Sequence, residues 1–244
     1  MRLPIPALIL AATLAACGKD DTLAPVSASA RVKVINAIGG ANGVDFAVGD
    51  QRTFTALTVT SVAPALPGTY TALPAETPLR LRVYLGSATL IDSTVTLITD
   101  ASYSLIASGT SNGTGAAAPR FILLQDNLST LAAGAIRLRA LHAAPGVGSV
   151  DVHAALTGTQ FSITTRTFAS LGFRAASTVD VPSGTYQICV LGAGLTPTAN
   201  GSNCAILLST GVISAGSVVT AMVRDPNTPS ETTPQIQVTI DRSP

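Results

Sequence analysis

One stretch of this chain recurs 106 residues later, and that recurrence limits the fold more than any other feature. RVKVINAIGGANGVDFAV, starting at Arg31, aligns without a gap with RLRALHAAPGVGSVDVHA, starting at Arg137, and both Arg31/Arg137 and Asp45/Asp151 keep the offset of 106. Further along, Gly68, Thr69 and Tyr70 match Gly184, Thr185 and Tyr186, and Asp126 in FILLQDN matches Asp241 in IQVTIDR. The period is far too long for a solenoid. Two copies of one domain-sized unit are the simpler reading.

Within each copy the pattern is short alternating runs broken by Gly, Pro, Asn and Thr, the signature of strands in an all-β domain. Val32, Val34 and Asn36 fall on one face of the first strand, with Arg31, Lys33 and Ile35 on the other. In the first copy the alternation predicts strands near 31–37, 44–48, 54–59, 69–73, 79–85, 89–97, 103–107 and 121–125. The fold expected is all-β: two tandem antiparallel Ig-like β-sandwich domains, at 31–127 and 135–244. A short segment rich in Ser, Thr, Ala and Gly, 127–134, joins them and implies that they touch or are held close. One helical turn at 128–133, with Ser129 as its cap, is the main helix expected. Longer loops are expected at 108–119 and 192–203.

The N-terminus reads as a bacterial lipoprotein signal: a cation at Arg2, an apolar core from Ile5 to Leu14, then Ala15, Ala16 and Cys17. The core is too short to span a bilayer as a helix. The resemblance implies that residues 1–16 are removed and that Cys17 carries acyl chains such as palmitate. Each buried CH₂ contributes about 0.8 kcal/mol, so a multiply acylated cysteine is held in the bilayer nearly permanently. An ordinary secretory signal followed by an unrelated cysteine is the alternative. Gly18 stands where the inner-membrane retention signal of enterobacterial lipoproteins places Asp, which points to the outer membrane. Residues 17–30, with Lys19, Asp20, Asp21 and Pro25, read as a flexible tether.

Composition excludes several classes. Charged residues are 11% of the chain and the formal net charge is +1, which argues against a nucleic-acid footprint built of clustered Lys and Arg. Hydrophobic residues at 47% are ample for a core. The sequence implies no cofactor and no metal, since His142 and His153 are its two histidines and a zinc site takes three or four ligands around one point.

The segment LHAAPGVGSVDVHA from Leu141, followed by VPSGTYQICV from Val181, resembles the bacterial family known as domain of unknown function 4397. Each repeat of that family leads from a strand into a His-Ala-Ser-Pro-like turn, then a Val-Asp-Val strand, and later a Gly-Thr-Tyr strand. The second copy keeps His142, Ala143, Pro145, Val150, Asp151 and Val152. The first copy has Asn36 at the histidine position and Gly39 where the proline falls. The resemblance implies a cell-envelope lipoprotein, often with tandem repeats, and no assigned activity.

Candidate chemistry is sparse. His142, Ser149 and Asp151 are close in sequence, but GVGSV is not the turn that presents a serine nucleophile. His142 reads as closing a turn by hydrogen bonding, and His153 as facing solvent. GGANG from Gly39 and GAGLTPTANG from Gly192 lack the Lys and the strand-to-helix setting of a phosphate loop. Arg31 and Lys33, Arg80 and Arg82, and Arg137 and Arg139 alternate with apolar residues, which reads as solvated outer sheet faces; contact with anionic lipid or polysaccharide is the other reading. With Cys17 lipidated, Cys189 and Cys204 are left as a disulfide pair in an oxidising compartment. Tyr70 and Tyr186 are expected to pack inward and bond backbone, as tyrosines near sandwich corners do.

These readings add up to a non-enzymatic, membrane-anchored envelope lipoprotein whose partners are the bilayer, through Cys17, and an envelope protein or polysaccharide, with no nucleic acid. A hydrolase using His142 and Asp151, and a passive spacer, are the alternatives.

Overall fold

The computed structural model describes residues 28–226 and 233–243. Cys17, the signal and the tether up to residue 27 lie outside the described residues. Residues 28–126 form the first repeat, with strands β1 (Ser29–Gly39), β2 (Val44–Val48), β3 (Gln51–Leu57), β4 (Val62–Ala63), β5 (Thr71–Pro74), β6 (Pro78–Leu85), β7 (Ala88–Thr96), β8 (Ser102–Thr110) and β9 (Arg120–Gln125). The second repeat holds β10 (Ala135–His142), β11 (Val150–Leu156), β12 (Arg166–Leu171), β13 (Ala176–Pro182), β14 (Gly184–Gly192), β15 (Ile206–Ile213), β16 (Val218–Arg224) and β17 (Gln235–Arg242). β1 starts at Ser29, inside the stretch expected to be tether. No helix forms at 128–133; short 3₁₀ turns occur instead at Gly115–Ala117 and Ile163–Thr165.

Each repeat is a pair of sheets. In the first, β1, β8 and β9 pair in that order, with β4 and β5 on the free side of β1, and the second sheet runs β3-β2-β6-β7. The second repeat matches strand for strand, with β13-β10-β16-β17 and β12-β11-β14-β15. Most neighbours are antiparallel. At the centre of each repeat, however, β1 runs parallel to β8 and β10 parallel to β16.

Those central strands explain the apolar runs VKVINAI, YSLIASG, IRLRALH and VVTAMVR. A strand covered on both faces loses the apolar-in, polar-out alternation of a half-solvated one. Val32, Val34, Tyr103 and Leu105 point into the core of repeat one, and Leu138, Ala140, Val219 and Ala221 into that of repeat two. The opposite faces meet each other. Ile35, Ala37, Ile106 and Ile122 from the first repeat pack with Leu141, Ala143 and Met222 from the second. The two repeats thus share a third apolar cluster between their own cores.

This arrangement overturns the expectation of solvated basic faces at Lys33, Arg137 and Arg139. All three are buried: Lys33 and Arg139 lie on the face that docks on the other repeat, and Arg137 is held by Asp180 of its own repeat and by Asn127 and Ser129 of the connecting segment. The expectation holds for Arg31 and Arg80, which are exposed, while Arg82 is half-buried.

Candidate functional site at the repeat junction

At one end of the shared face, four charged side chains meet with almost no solvent. Lys33 and Asp126 belong to the first repeat, Arg139 and Asp241 to the second, and their side chains are 4%, 1%, 8% and 0% exposed. Lys33 Nζ donates to Asp241 and lies 3.9 Å from Asp126 Oδ2. Arg139 donates to Asp126 Oδ1 at 2.6 Å and to Asp241 Oδ2 at 3.1 Å. Each cation therefore bridges carboxylates of both repeats. The formal charges cancel, which is the condition for burying such a group without an uncompensated ion.

Neutral groups complete the cluster. The Ser104 hydroxyl donates to Asp126 at 2.8 Å and accepts from Arg139 Nη2 at 3.0 Å. Thr220 accepts from Arg139 Nε at 2.9 Å and donates to Asp241. The Tyr70 hydroxyl donates to Asp126 Oδ2 at 2.9 Å, and burial together with the Asp126 charge pushes the phenol far above its ordinary range. The equivalence is internal to the chain: Lys33 and Arg139 keep the offset of 106 read from the sequence, and Asp126 and Asp241 are the aspartates that matched there. Arg174 of the second repeat adds a strap, donating to Ser108 at 3.1 Å and to the Ala118 carbonyl at 2.6 Å.

The two repeats differ at the edge of this cluster. Val34 pairs with Ala63 and Val32 with Thr71, whereas the matching Ala140 and Leu138 pair with Ser177 and Val179. Residues 64–70 thus stand where the second repeat has Thr178 alone. The insertion splits one strand into β4 and β5. The Gly-Thr-Tyr match is corrected by the same register. Tyr70 ends the insertion ahead of β5, while Tyr186 lies in β14, opposite Leu156 of β11. The corner expected for both tyrosines is made by Tyr186, whose hydroxyl donates to the Pro182 carbonyl, and Tyr70 instead joins the charge cluster.

The inserted loop leans toward β17, the last strand of its sheet. Gly68 N–H donates to the Asp241 carbonyl at 3.0 Å, and Gln237 Nε2 donates to the Thr60 carbonyl at 2.6 Å. Between those two contacts lies a cleft of about 420 Å³, walled by Pro64, Leu66 and Pro67 on one side and residues 237–241 on the other. Lys33 and Asp241 form its floor. Its size and its place between two units are those in which ligand sites are usually found. Neither the insertion nor the cleft was legible in the sequence; the absence of a second PALP-like run in the other copy was the available signal.

His142 and Asp151 are not brought together: each is held by its own local partners. The His142 ring bonds the Gly148 carbonyl through Nε2 at 2.9 Å and accepts Ala144 N–H on Nδ1 at 3.3 Å. In the first repeat, Asn36 accepts Ile38 N–H at 3.1 Å and donates to the Ala41 carbonyl at 2.8 Å. An amide and an imidazole can each present a donor and an acceptor to these two turn groups, and the amide has a second donor hydrogen, which Asn36 gives to the Leu57 carbonyl at 3.0 Å. The two residue types therefore close the same turn.

Asp151 accepts the amides of Ser170 at 2.7 Å and Gly194 at 3.0 Å, and Arg166 Nη1 at 3.3 Å. Burial opposes its charge, but these donors outweigh it and hold the carboxyl below the usual carboxylate range. Asp45 likewise accepts hydrogen bonds from Ala56 N–H at 2.8 Å and from Arg52. Ala56 and Ser170 have φ of 55° and 49°, a left-handed conformation that a non-glycine residue adopts only under constraint. The aspartates supply that constraint.

His153 departs from its expected place in solvent. It is fully buried beside Cys189, its register partner on β14, and burial lowers its pKa. The cover comes from loops 157–165 and 193–205, which pack Phe161 and Cys204 over Ala155, Cys189 and Leu191. Cys189 and Cys204 form a disulfide with Cα atoms 5.5 Å apart, which ties the second of those loops to the sheet. Among the described residues no group of three or more His, Cys, Asp or Glu is placed to hold a metal ion.

No curated protein matches the chain. Among solved structures, the Bacillus anthracis TIE protein is 11% identical with a TM-score of 0.23, over 81% of this chain and 34% of that one. A family 26 carbohydrate-binding module, CBMbc of Eubacterium rectale Amy13K in complex with maltoheptaose, is also 11% identical with a TM-score of 0.23, over 88% of this chain and 97% of that one. The chain spans about a third of the length of the first, and at such scores neither likeness bears on function. The model of a family described as domain of unknown function (DUF4397) matches residues 30–153, from the first strand of repeat one into β11 of repeat two, and the chain belongs to that family.

Proposed function

We propose that this protein is a lipid-anchored envelope module that acts by binding rather than by catalysis, and that its binding site is the cleft at the repeat junction. Acylated Cys17 holds it in the membrane, the outer one by the identity of Gly18, and the tether gives it reach. The observation that carries the reading is the insertion at 64–70. It departs from the repeat pattern at an edge where both repeats meet, and it builds a wall that the second repeat lacks. Loops on a rigid scaffold are where binding residues concentrate. The hydrolase alternative finds no support in the geometry of His142 and Asp151, whose hydrogen-bonding groups serve a turn and a strained strand.

Photo-crosslinking in cells tests this. A crosslinking residue at position 66, where Leu66 is 71% exposed at the cleft, captures an envelope component, whereas the same residue at Ile98, 58% exposed and outside the cleft, does not. Equal capture at both positions, or none at 66, overturns the proposal. Anchoring is read separately: fatty-acid label enters the wild type and not Cys17→Ala, which leaves the membrane fraction.

A further inference from the structure

We infer that the cleft takes an extended, uncharged peptide segment, which adds as a strand to the free edge of β17. The inference rests on the reading of the cleft as a binding site and names its occupant. Among the described residues, β17 pairs with β16 on one side and with no strand on the other. Such an edge is a row of unpaired backbone donors and acceptors, which proteins ordinarily blunt with charge, proline or a cover. β17 runs QIQVTI before its first charge at Asp241, with no proline. Both strands begin directly after a proline, Pro119 and Pro234, but the counterpart β9 is shorter and carries a charge, Arg120, at its start.

The cover that exists is partial. One backbone hydrogen bond, Gly68 to Asp241, joins the inserted loop to the described part of the strand, and the cleft separates the rest. Five consecutive residues of β17, 237–241, line that cleft, so it is the strand's edge and not only one face that borders it. In strand addition, main-chain hydrogen bonds provide affinity and flanking pockets read alternate side chains. Here Leu66 and Ile240, both exposed, stand at the cleft as apolar contacts for such side chains. The charge of the incoming segment follows from the floor. Lys33 and Asp241 already neutralise one another, so a charged side chain entering the cleft meets no unpaired partner and loses its hydration. The shortage of aromatic residues, 4% of the chain, leaves little to stack sugar rings on.

The test uses the full chain purified in detergent, a fluorescent library of ten-residue peptides alternating apolar and polar uncharged residues, and a panel of neutral oligosaccharides. The expected result is saturable peptide binding that slows amide hydrogen exchange in 235–241, with Kd raised at least tenfold by Leu66→Asp and by Ile240→Lys. Both substitutions are at exposed positions, and circular dichroism and thermal melting confirm that each variant is folded. Peptide binding that leaves exchange in 235–241 unchanged overturns the inference. So does binding of oligosaccharides, and not peptides, with protection at the cleft, although that result keeps the cleft as a site. If no probe binds and crosslinking at position 66 also captures nothing, the inference and the underlying reading fall together.

Discussion

Replacing Asp241 by Ala removes the acceptor shared by Lys33, Arg139 and Thr220 and leaves the junction with one carboxylate for two cations. Asp126 is the only remaining anion of the four-membered cluster. It is 2.6 Å from Arg139 but 3.9 Å from Lys33, so the lysine is left without a short contact. Removing one partner of a buried ion pair costs about 3–5 kcal/mol, because the other charge stays buried without compensation. We place Asp241→Ala near the lower end, about 3 kcal/mol, since Asp126 is near enough to share some of the charge. For a chain of this size each kcal/mol lowers Tm by about 2–4 °C, which gives a fall of about 6–12 °C in calorimetry. The double replacement Lys33→Met with Asp241→Leu substitutes apolar bulk for the pair and recovers most of that loss. Arg80→Ala, which breaks a pair whose side chains are 53% and 40% exposed, is the control and leaves Tm essentially unchanged. If Asp241→Ala behaves like the control, the cluster does not hold the repeats together and the reasoning is wrong.

Three further outcomes are expected. His142→Asn stays within about 1 kcal/mol of the wild type in urea unfolding, because Asn36 performs the same task, whereas His142→Ala costs about 1–3 kcal/mol by leaving buried turn groups unpaired; equal losses refute the equivalence. Cys204→Ala lowers stability by about 3 kcal/mol, the chain-entropy value for a 15-residue loop, and a reductant brings the wild type to the same stability without changing the variant; a reductant effect on the variant counts against that assignment. His153 has a pKa lowered by burial, so the unfolded chain binds its proton first. Its share of stability is complete above about pH 6.5, the ordinary histidine value, and is lost as pH falls from there toward the lowered value. His153→Leu flattens that part of the stability-pH curve, and an unchanged slope refutes the account.

Much of the strand order was legible because alternation and turn residues report local structure directly. The runs predicted at 44–48, 79–85 and 121–125 fall on β2, β6 and β9, with ends within one residue. The match of Asp126 with Asp241 reads in the sequence only as part of the repeat, and the structure places both in the charge cluster. What alternation does not report is what covers a face. Lys33 and Arg139 carry the pattern of a solvated strand, and the same pattern serves an interface when carboxylates arrive from both repeats. The Gly-Thr-Tyr match failed for a related reason: three residues fit by composition, while register is set by backbone pairing far along the chain. His153 was misplaced because its cover comes from two loops that have no equivalent in the first repeat.

The central claim is that the two repeats are one body with a built site at their junction. Scanning calorimetry of the full chain addresses it most directly. The account predicts a single transition whose calorimetric and van't Hoff enthalpies agree, because neither sandwich can lose its packing without exposing the charges of the other. Two separate transitions, or a first transition left unmoved by Asp241→Ala, would contradict it.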